Sequence, residues 1–508
     1  MLLIYFRNGV YGMKKLFLLV VFSFQIGSVL FAQVLAPEPN SYSSYAVDTS
    51  GYLYAWGYNG QGQLGVGNSI DTTLPIIVYF PGGLISCKAI SGGFEFCLAI
   101  GGNGNLYAWG QNSHGQLGTG DTTERYFPVK IDFPAGVTKW IAVAAGMYHS
   151  LAIGDNGNLY TCGINSDGEL GFGDTASRNA LTLVPFPDGV TGWKSVAAGA
   201  YHSLAIGNDN NIYSWGQNGW AQLGIGSVDE QFAPAQVPLP KGVTGWKIVA
   251  AGGHHSLAIG NNGNLYTWGD NDNVQLGLGD RTYGWTPNLV SLPNGVTGWK
   301  TVAAGQSHSL AISNDGGLYA WGFNAWGQLG LGQLDVTDDQ NMPVFVPFPD
   351  GVTGWKSVSA GAYHSLAIGS DGNLYAWGDN GLGQLGLGRI VFGTDTYLTV
   401  PSLVFHLGSI TGVSKNELTI PRNYSLSQNY PNPFNPSTTI EYSIPKSSFV
   451  SLKVYDVLGR EVVTLVDEEK SQGNYLVVFN AKGLSSGIYF YRMQAENFVE
   501  IKKLILMK

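Results

Sequence analysis

Residues 189–226 read GVTGWKSVAAGAYHSLAIGNDNNIYSWGQNGWAQLGIG, and closely similar stretches recur along most of the chain. The pattern LY-x-WG within this stretch has seven copies, whose tryptophan position is held by Trp56, Trp109, Cys162, Trp215, Trp268, Trp321 and Trp377. Successive copies are 53 residues apart, except for the last two, which are 56 apart. A fixed period of this size indicates an array of similar units, and seven units nearly fill residues 36–408.

Each unit divides into short segments that are typical of strands. WKSVAAG, HSLAI and NLYAW are the first three, and PVFVPF at 343–348 exemplifies a weaker fourth. Turns such as Asp-Asn-Gly-Asn at 155–158 join the second and third segments, and Asn-Gly predicts a two-residue hairpin with positive φ. Seven such four-stranded units predict an all-β fold, a seven-bladed β-propeller. An open β-solenoid is the alternative, although solenoid periods are usually about 20–30 residues.

Closure of the ring is the open question of this prediction. The WK segment occurs six times, whereas HSLAI and LYAWG occur seven times if the degenerate Tyr45-Ala46-Val47 is counted. Residues 405–414, FHLGSITGVS, echo FPDGVTGWKSV at 348–358. We hypothesise that residues 409–420 supply the missing strand, within a latch and linker over 409–436.

Composition and charge narrow the classes of function. Only 12% of the 508 residues are charged, against about 25% in average proteins, while 44% are hydrophobic and 72 are glycine. This composition excludes a coiled coil and argues against a disordered chain. Residues 36–408 hold 12 basic and 26 acidic residues. Such an acidic segment repels phosphate backbones, so nucleic acid is not an expected partner.

The N-terminus has the pattern of a secretory signal. Lys14 and Lys15 precede a 16-residue apolar run over 16–31, and the small residue Ala32 follows it. This predicts a signal peptide over residues 1–32, starting at Met1 or at Met13. An uncleaved anchor is the alternative, but a spanning helix needs about 20 residues. No later apolar run is long enough, so no integral membrane segment is expected after cleavage.

The repeats resemble those of the regulator of chromosome condensation family. The motifs that carry the resemblance are AGAYHSLAIG, LYAWG and NGLGQLGLG, and they imply a seven-bladed propeller. Members include a nucleotide-exchange factor for a small GTPase, a plant light receptor and a secreted β-lactamase inhibitor. The exchange factor uses an inserted hairpin, whereas the largest insertion here is three residues near 333–341, so exchange is not expected. The light receptor's repeats read Gly-Trp-Arg-His-Thr, and this chain has Gly-Trp-Lys, so photoreception is not expected either.

A separate module follows the repeats. Prolines at 431, 433 and 436 mark a boundary, and the alternating segments after them predict a small β-sandwich over 437–508. YPNPFNPSTTIEYSIP, VYDVLGREV, GLSSGIYFYRM and KKLILMK resemble the type A C-terminal sorting domain of the type IX secretion system. The resemblance implies that this machinery handles the chain through residues 424–508. It also implies delivery outside the cell or to the outer-membrane surface of a Gram-negative bacterium.

Most candidate functional side chains in the repeats have a structural interpretation. One histidine per unit cannot easily converge on an ion, so we predict structural histidines that are hydrogen-bonded at His149, His202, His255, His308 and His364. The repeated tryptophans Trp56, Trp109, Trp215, Trp268, Trp321 and Trp377 are predicted to be structural as well. Cys87, Cys97 and Cys162 fill Trp and Ser positions and are expected to be buried.

The carboxylates give no catalytic pattern. Asp121, Asp174 and Asp280 follow LG-x-G and are expected to cap turns. Asp335, Asp338 and Asp339 form a charged loop, for which calcium binding is the alternative. There is no Ser-His-Asp, His-Glu-x-x-His or P-loop signature, so we predict no catalytic residue, no metal and no cofactor.

Positions at which the repeats disagree are the best candidates for binding. The fifth residue after the LY-x-WG tryptophan varies, and so does the pair that precedes the repeated histidine. Exposed aromatic side chains are common at binding sites, although neutral drift in loops explains such variation equally well. The candidate ligand-binding residues are Trp220, Trp326, His114, Tyr148, Tyr201, His254 and Tyr363. We predict a non-catalytic recognition module for protein or glycan; the alternatives are a polysaccharide-active enzyme and a structural surface protein.

Overall fold

The computed structural model describes residues 41–81, 84, 86–332, 339–388, 397–405, 424–426, 428–429, 432, 434, 437–470 and 473–507. These residues form 34 strands joined by turns and loops. The predicted signal peptide over 1–32 and the hypothetical closing strand over 409–420 lie outside the described residues. None of the described residues belongs to a helix long and apolar enough to cross a membrane.

Seven antiparallel sheets succeed one another between residues 43 and 405, and each sheet is one blade. A full blade has an inner, a second, a third and an outer strand in chain order; among the described residues the first blade has the last three. Blade 1 contains β1 (Ser43–Val47), β2 (Leu53–Gly57) and β3 (Thr72–Val78). Blade 2 contains β4 (Cys87–Gly92), β5 (Phe96–Gly101), β6 (Leu106–Gly110) and β7 (Arg125–Lys130).

The other five blades repeat this arrangement. Blade 3 contains β8 (Trp140–Ala145), β9 (His149–Gly154), β10 (Leu159–Gly163) and β11 (Arg178–Leu183). Blade 4 contains β12 (Trp193–Ala198), β13 (His202–Gly207), β14 (Ile212–Gly216) and β15 (Gln231–Gln236). Blade 5 contains β16 (Trp246–Ala251), β17 (His255–Gly260), β18 (Leu265–Gly269) and β19 (Gly284–Leu289). Blade 6 contains β20 (Trp299–Ala304), β21 (His308–Ser313), β22 (Leu318–Gly322) and β23 (Gln340–Phe345). Blade 7 contains β24 (Trp355–Ala360), β25 (His364–Gly369), β26 (Leu374–Asp379) and β27 (Tyr397–Phe405).

The hydrophobic cores lie between blades. Seven buried clusters occupy the seven junctions, and each draws side chains from two adjacent blades. The cluster that closes the ring packs Trp56 and Tyr54 of blade 1 against Leu366 and Leu385 of blade 7. Because the first and last blades share a core, the ring is closed. The predicted seven-bladed propeller is therefore confirmed, and an open stack is excluded.

The LG-x-G sequence serves this packing. Gly171 has φ near +81°, and a Cβ added there would lie 3.0 Å from Nε1 of Trp215 in the next blade. The same indole N–H donates to the Glu169 carbonyl oxygen at 2.7 Å. Glycine at this position therefore lets the tryptophan of the following blade approach the backbone closely.

The turns between second and third strands differ from the predicted two-residue hairpins. In blade 3, Gly154 donates to the Asn158 carbonyl and Gly157 donates to the Gly154 carbonyl, so the loop is Asp155-Asn156-Gly157. Only its third residue has positive φ, +80° at Gly157. A type I turn followed by one left-handed residue gives this three-residue loop. In blade 4 Asn210 takes the glycine position, with φ of 67°.

The C-terminal module is the predicted β-sandwich. One sheet contains β28 (Ser425–Leu426), β29 (Ser437–Ile444) and β32 (Gly473–Asn480). The other contains β30 (Ser448–Tyr455), β31 (Glu461–Lys470), β33 (Gly487–Ala495) and β34 (Phe498–Leu506). Both sheets contribute to one core, which includes Tyr442 and Tyr491.

Two of the sorting-domain motifs lie side by side in this module. Asn432 of the YPNPFNP motif accepts a hydrogen bond from the Ile505 amide at 2.7 Å. The Phe434 amide donates to the Ile505 carbonyl at 2.9 Å. The N-terminal motif of the module therefore pairs with its last strand, β34.

Candidate binding face

The strand order sorts the connecting loops onto two ends of the propeller. Turns between inner and second strands share one end with the loops between third and outer strands, because successive strands are antiparallel. We call this end the variable face, because it carries both positions at which the repeats disagree. The other end holds the turns between second and third strands and the loops that lead to the next blade, and we call it the hairpin face.

The first variable position directly precedes each second strand, and its backbone is fixed. In every blade its carbonyl oxygen accepts a hydrogen bond, 2.9–3.2 Å long, from the amide that follows the LY-x-WG glycine. The position of that glycine has no room for a side chain: a Cβ on Gly110 would lie 2.4 Å from the Glu95 carbonyl oxygen. The residues at this position are Tyr42, Glu95, Tyr148, Tyr201, His254, Ser307 and Tyr363.

The second variable position lies in the loop after each third strand, and its backbone is also fixed. Its amide donates to the side chain two residues later at 2.8–3.0 Å, a glutamine in six blades and Glu169 in blade 3. The residues here are Gln61, His114, Asp167, Trp220, Asn273, Trp326 and Leu382. Because the scaffold holds the main chain of both positions, their side chains are free to differ.

The structure brings the two variable positions together across blade junctions. The rings of His114 and Tyr148 have centroids 5.0 Å apart, and those of Trp220 and His254 are 6.1 Å apart. Trp326 and Tyr363 form a third pair at 6.5 Å. In each pair the first residue belongs to blade 2, 4 or 6 and the second to the blade that follows. Trp220 and Trp326 are 38% and 39% exposed.

Further aromatic residues, which the sequence did not single out, join these pairs. Tyr42 lies 6.2 Å from Tyr363 and 6.3 Å from Phe94, and Phe94 lies 5.8 Å from Tyr148. Tyr283 packs edge-on against Trp220, and Tyr397 packs edge-on against Trp326. Tyr42 holds the position equivalent to Tyr201, but it precedes the degenerate first copy, where the repeat pattern is hard to recognise. Tyr201, the remaining candidate, is half-buried on the same face.

Charge is strongly unequal between the two faces. Among the described propeller residues, the hairpin face carries eight aspartates and eight lysines: Asp48, Asp132, Asp155, Asp188, Asp209, Asp315, Asp350, Asp371, Lys88, Lys130, Lys139, Lys194, Lys241, Lys247, Lys300 and Lys356. The variable face carries fourteen carboxylates and three arginines: Asp71, Glu95, Asp121, Glu124, Asp167, Glu169, Asp174, Asp229, Glu230, Asp270, Asp272, Asp280, Asp339, Asp379, Arg125, Arg178 and Arg281. The acidic excess of the described propeller therefore lies on the variable face.

Several of these carboxyl groups are partly desolvated. Burial raises the pKa of Glu95, Asp167, Asp270 and Asp379 above the ordinary values. Burial also raises the pKa of Glu169 to about 7. The same cause lowers the pKa of His254, which keeps the ring beside Trp220 uncharged near neutral pH.

The five repeated histidines lie inside the blade junctions. Their rings are fully buried, and each Nε2 lies 2.8–3.1 Å from a serine Oγ of the next blade. The pairs are His149 with Ser203, His202 with Ser256, His255 with Ser309, His308 with Ser365, and His364 with Ser44. Phe96 takes the histidine position in blade 2 and Ser43 takes it in blade 1.

The repeated tryptophans occupy the same junctions. The six side chains are fully buried, and each indole N–H donates to a carbonyl oxygen of the preceding blade at 2.7–2.9 Å. The side chains of Cys87, Cys97 and Cys162 are also buried. Burial raises the pKa of the Cys87 and Cys162 thiols to about 12, so both are protonated near neutral pH.

The aspartates that follow LG-x-G accept hydrogen bonds from the backbone amide two residues later in the chain. The Asp121 carboxylate accepts from the Thr123 amide at 3.0 Å, and Asp174 and Asp280 make the equivalent bond. Of the charged-loop cluster, Asp335 and Asp338 lie outside the described residues. Asp339 accepts from the Asn324 amide and pairs with Arg281 at 3.5 Å. In the described part of the chain, no three His, Cys, Asp or Glu side chains group closely enough to hold a metal ion.

Models of two families match the chain. The regulator of chromosome condensation (RCC1) repeat matches at residues 50–100, 103–153, 156–206, 209–259, 262–312, 315–368 and 371–414. A secretion system C-terminal sorting domain matches residues 428–507. The repeat over 103–153 contains the third and outer strands of blade 2 and the inner and second strands of blade 3. Each such repeat therefore spans a blade junction.

Relatives and solved structures agree with these matches. The chain is 32% identical over 361 residues to the ultraviolet-B receptor UVR8 of Arabidopsis thaliana, covering 71% of this chain and 80% of the receptor. It is 30% identical over 414 residues to the secretion-regulating guanine nucleotide exchange factor of Bos taurus, and the match covers 74% of this chain and 84% of that factor. Human WBSCR16 is similar in structure, with a TM-score of 0.62 and 22% identity; the match covers 70% of this chain and 94% of WBSCR16. Yeast RCC1 (Prp20), in its complex with Kap60, is similar with a TM-score of 0.61 and 23% identity; the match covers 83% of this chain and 93% of Prp20. At these identities the solved structures show the fold alone.

Proposed function

The chain belongs to the regulator of chromosome condensation repeat family and ends in a secretion-system sorting domain, and from this we propose a non-catalytic recognition module. The sorting domain makes the protein a secreted or cell-surface propeller handled by type IX secretion. We place it at the surface of a Gram-negative bacterium or in its surroundings. The variable face then recognises an extracellular protein or glycan.

The exposed aromatic pairs carry this proposal. Trp220 and Trp326 lie on loops whose backbones are fixed by Gln222 and Gln328, so their rings are presented without the entropic cost of ordering a loop. Each is paired with an aromatic ring of the next blade, which restricts its orientation further. Rigid, half-exposed tryptophans are the usual anchors of protein interfaces, and they also stack on sugar rings.

Binding measurements on the secreted protein test the proposal. A glycan array and a pull-down from extracellular medium would first identify a ligand, and its affinity would then be measured for a Trp220→Ala, Trp326→Ala double variant. We expect at least about tenfold weaker binding with an unchanged melting temperature. Phe186→Ala is the control, because Phe186 is 36% exposed on the hairpin face and stacks on Trp193. Equal losses in the two variants, or a ligand that the secreted protein converts to a product, would contradict the proposal.

A further inference from the structure

We infer that the variable face is a docking surface for an arginine-rich segment of another protein. This inference rests on the proposed function and narrows its ligand to one chemical class. Two properties of the face lead to it: an excess of carboxylates and an abundance of aromatic rings among them.

The charge on the face selects a cationic partner. Asp167 occupies a variable position between the His114–Tyr148 and Trp220–His254 pairs in blade order. Asp272 accepts from the Tyr283 hydroxyl at 2.9 Å, and Glu124 accepts from the Tyr126 hydroxyl at 3.0 Å. Carboxylates are thus interleaved with aromatic rings around the face. A cation that neutralises them gains Coulomb energy that the hairpin face, with equal numbers of lysines and aspartates, cannot offer.

Glu169 places a carboxyl group at a position where the other blades have glutamine. In four of the other blades the equivalent glutamine donates from Nε2 to the residue five positions earlier, as Gln222 does to Gln217 and Gln275 does to Asp270. In blade 3 the residue five positions earlier is Ile164, which has no side-chain acceptor. Glu169 is fully buried, its Oε1 has no hydrogen-bond partner among the described residues, and its Oε2 accepts a hydrogen bond from the Asp167 amide. When it is ionised, this buried carboxyl reinforces the negative potential beside Asp167.

The face already holds an arginine in the manner that we propose for a partner. The Arg178 guanidinium lies 2.8 Å from the Asp174 carboxylate and 5.0 Å from the centre of the Phe172 ring. A planar guanidinium pairs with carboxylates and stacks on aromatic rings at the same time, which a lysine ammonium does less well. The guanidinium group belongs to the arginine side chain, whereas cationic glycans carry ammonium groups. The chemistry of the face therefore favours a polypeptide over a cationic glycan.

A labelled peptide of alternating arginine and serine tests the inference by fluorescence anisotropy with the full secreted protein. The test variant is Glu124→Gln, Asp167→Asn, Asp272→Asn, which removes three negative charges from the variable face. The control variant is Asp132→Asn, Asp188→Asn, Asp350→Asn, which removes three from exposed aspartates of the hairpin face. Both variants have the same net charge, so a difference between them reports the location of the charge.

We expect the test variant to bind the peptide about tenfold more weakly at low salt, and the control to change by less than about twofold. Raising the salt concentration should reduce the difference between the variants, since exposed charges are screened. Equal losses in both variants would overturn the inference, and so would binding of a glucosamine oligomer with no binding of the peptide. If Trp220 and Trp326 are needed for a captured ligand but the three carboxylates are not, the proposed function stands and this inference fails.

Discussion

The Oγ atom of Ser44 lies 2.8 Å from Nε2 of His364, although 320 residues separate the two along the chain. The same hydroxyl donates to the Gln384 carbonyl at 2.7 Å. Internal junctions repeat both contacts; at the one between blades 5 and 6, Ser309 lies 3.0 Å from His255 and donates to Gln275. The junction that closes the ring is therefore chemically equivalent to those inside it.

This equivalence predicts that Ser44→Ala weakens the closed ring. The substitution removes the hydrogen-bond partner of the buried His364 Nε2, and an unsatisfied buried polar group costs about 1–3 kcal/mol. We expect a loss of that size in the free energy of unfolding, measured with urea. Ser309→Ala is the matched control and should cost about the same. A loss for Ser309→Ala with none for Ser44→Ala would show that the first and last blades do not depend on this contact.

The glycine three residues before each histidine gives a second prediction. A Cβ on Gly252 would lie 2.2 Å from Cε1 of His255 and 2.8 Å from the Gly305 carbonyl oxygen of the next blade. Because ring and backbone are both held in the junction, Gly252→Ala should cost at least about 1–3 kcal/mol in unfolding free energy. Gly219→Ala is the control, since Gly219 has open space around its Cα and is not among the residues with positive φ. Similar melting temperatures for the two variants would contradict this account.

The repeats made the blades predictable because strand, turn and core residues recur at a fixed spacing. Trp215 and His202 could be assigned to the interior from that spacing alone. The pairing of Trp220 with His254 could not, since sequence spacing does not tell which loop of one blade meets which turn of the next. Tyr42 was missed because it precedes a copy in which only Tyr45-Ala46-Val47 survives. The hairpin loops were predicted one residue too short, because Asn-Gly occurs in both two-residue and three-residue turns.

Burial of the histidines predicts sensitivity to acid. It lowers the pKa of His149, His255, His308 and His364 to about 3, whereas a free imidazole titrates near 6.5. Between these values the unfolded chain binds protons that the folded chain does not, so stability falls as the pH falls from about 6.5 toward 3. Each histidine should contribute about 2 kcal/mol to the loss between pH 7 and pH 5.

His255→Phe isolates this contribution, since phenylalanine already fills the equivalent position at Phe96. We expect the variant to be less stable than the parent at pH 7, because Ser309 loses its hydrogen bond to the imidazole. Its urea midpoint should nevertheless fall less between pH 7 and pH 5. Parallel pH profiles for the two proteins would show that the imidazole is not kept neutral by burial.

Glu169 predicts the opposite dependence on pH. Burial raises its pKa to about 7 from the ordinary 4.5, so the folded state holds this proton more tightly than the unfolded state does. The associated stability is present at low pH and is lost as the pH rises from 4.5 through about 7. Glu169→Gln replaces the carboxyl with the amide found in the other six blades. Gln63 and Gln328 show that a buried Nε2 with no partner among the described residues is tolerated there. We expect the variant to be more stable than the parent at pH 8 by about 1–3 kcal/mol, with a smaller difference at pH 5.

Gln222→Glu should show the reverse, a loss that is larger at pH 8 than at pH 5. If the Glu169→Gln difference is the same at both pH values, the pKa of the Glu169 carboxyl is not raised and burial does not desolvate this group.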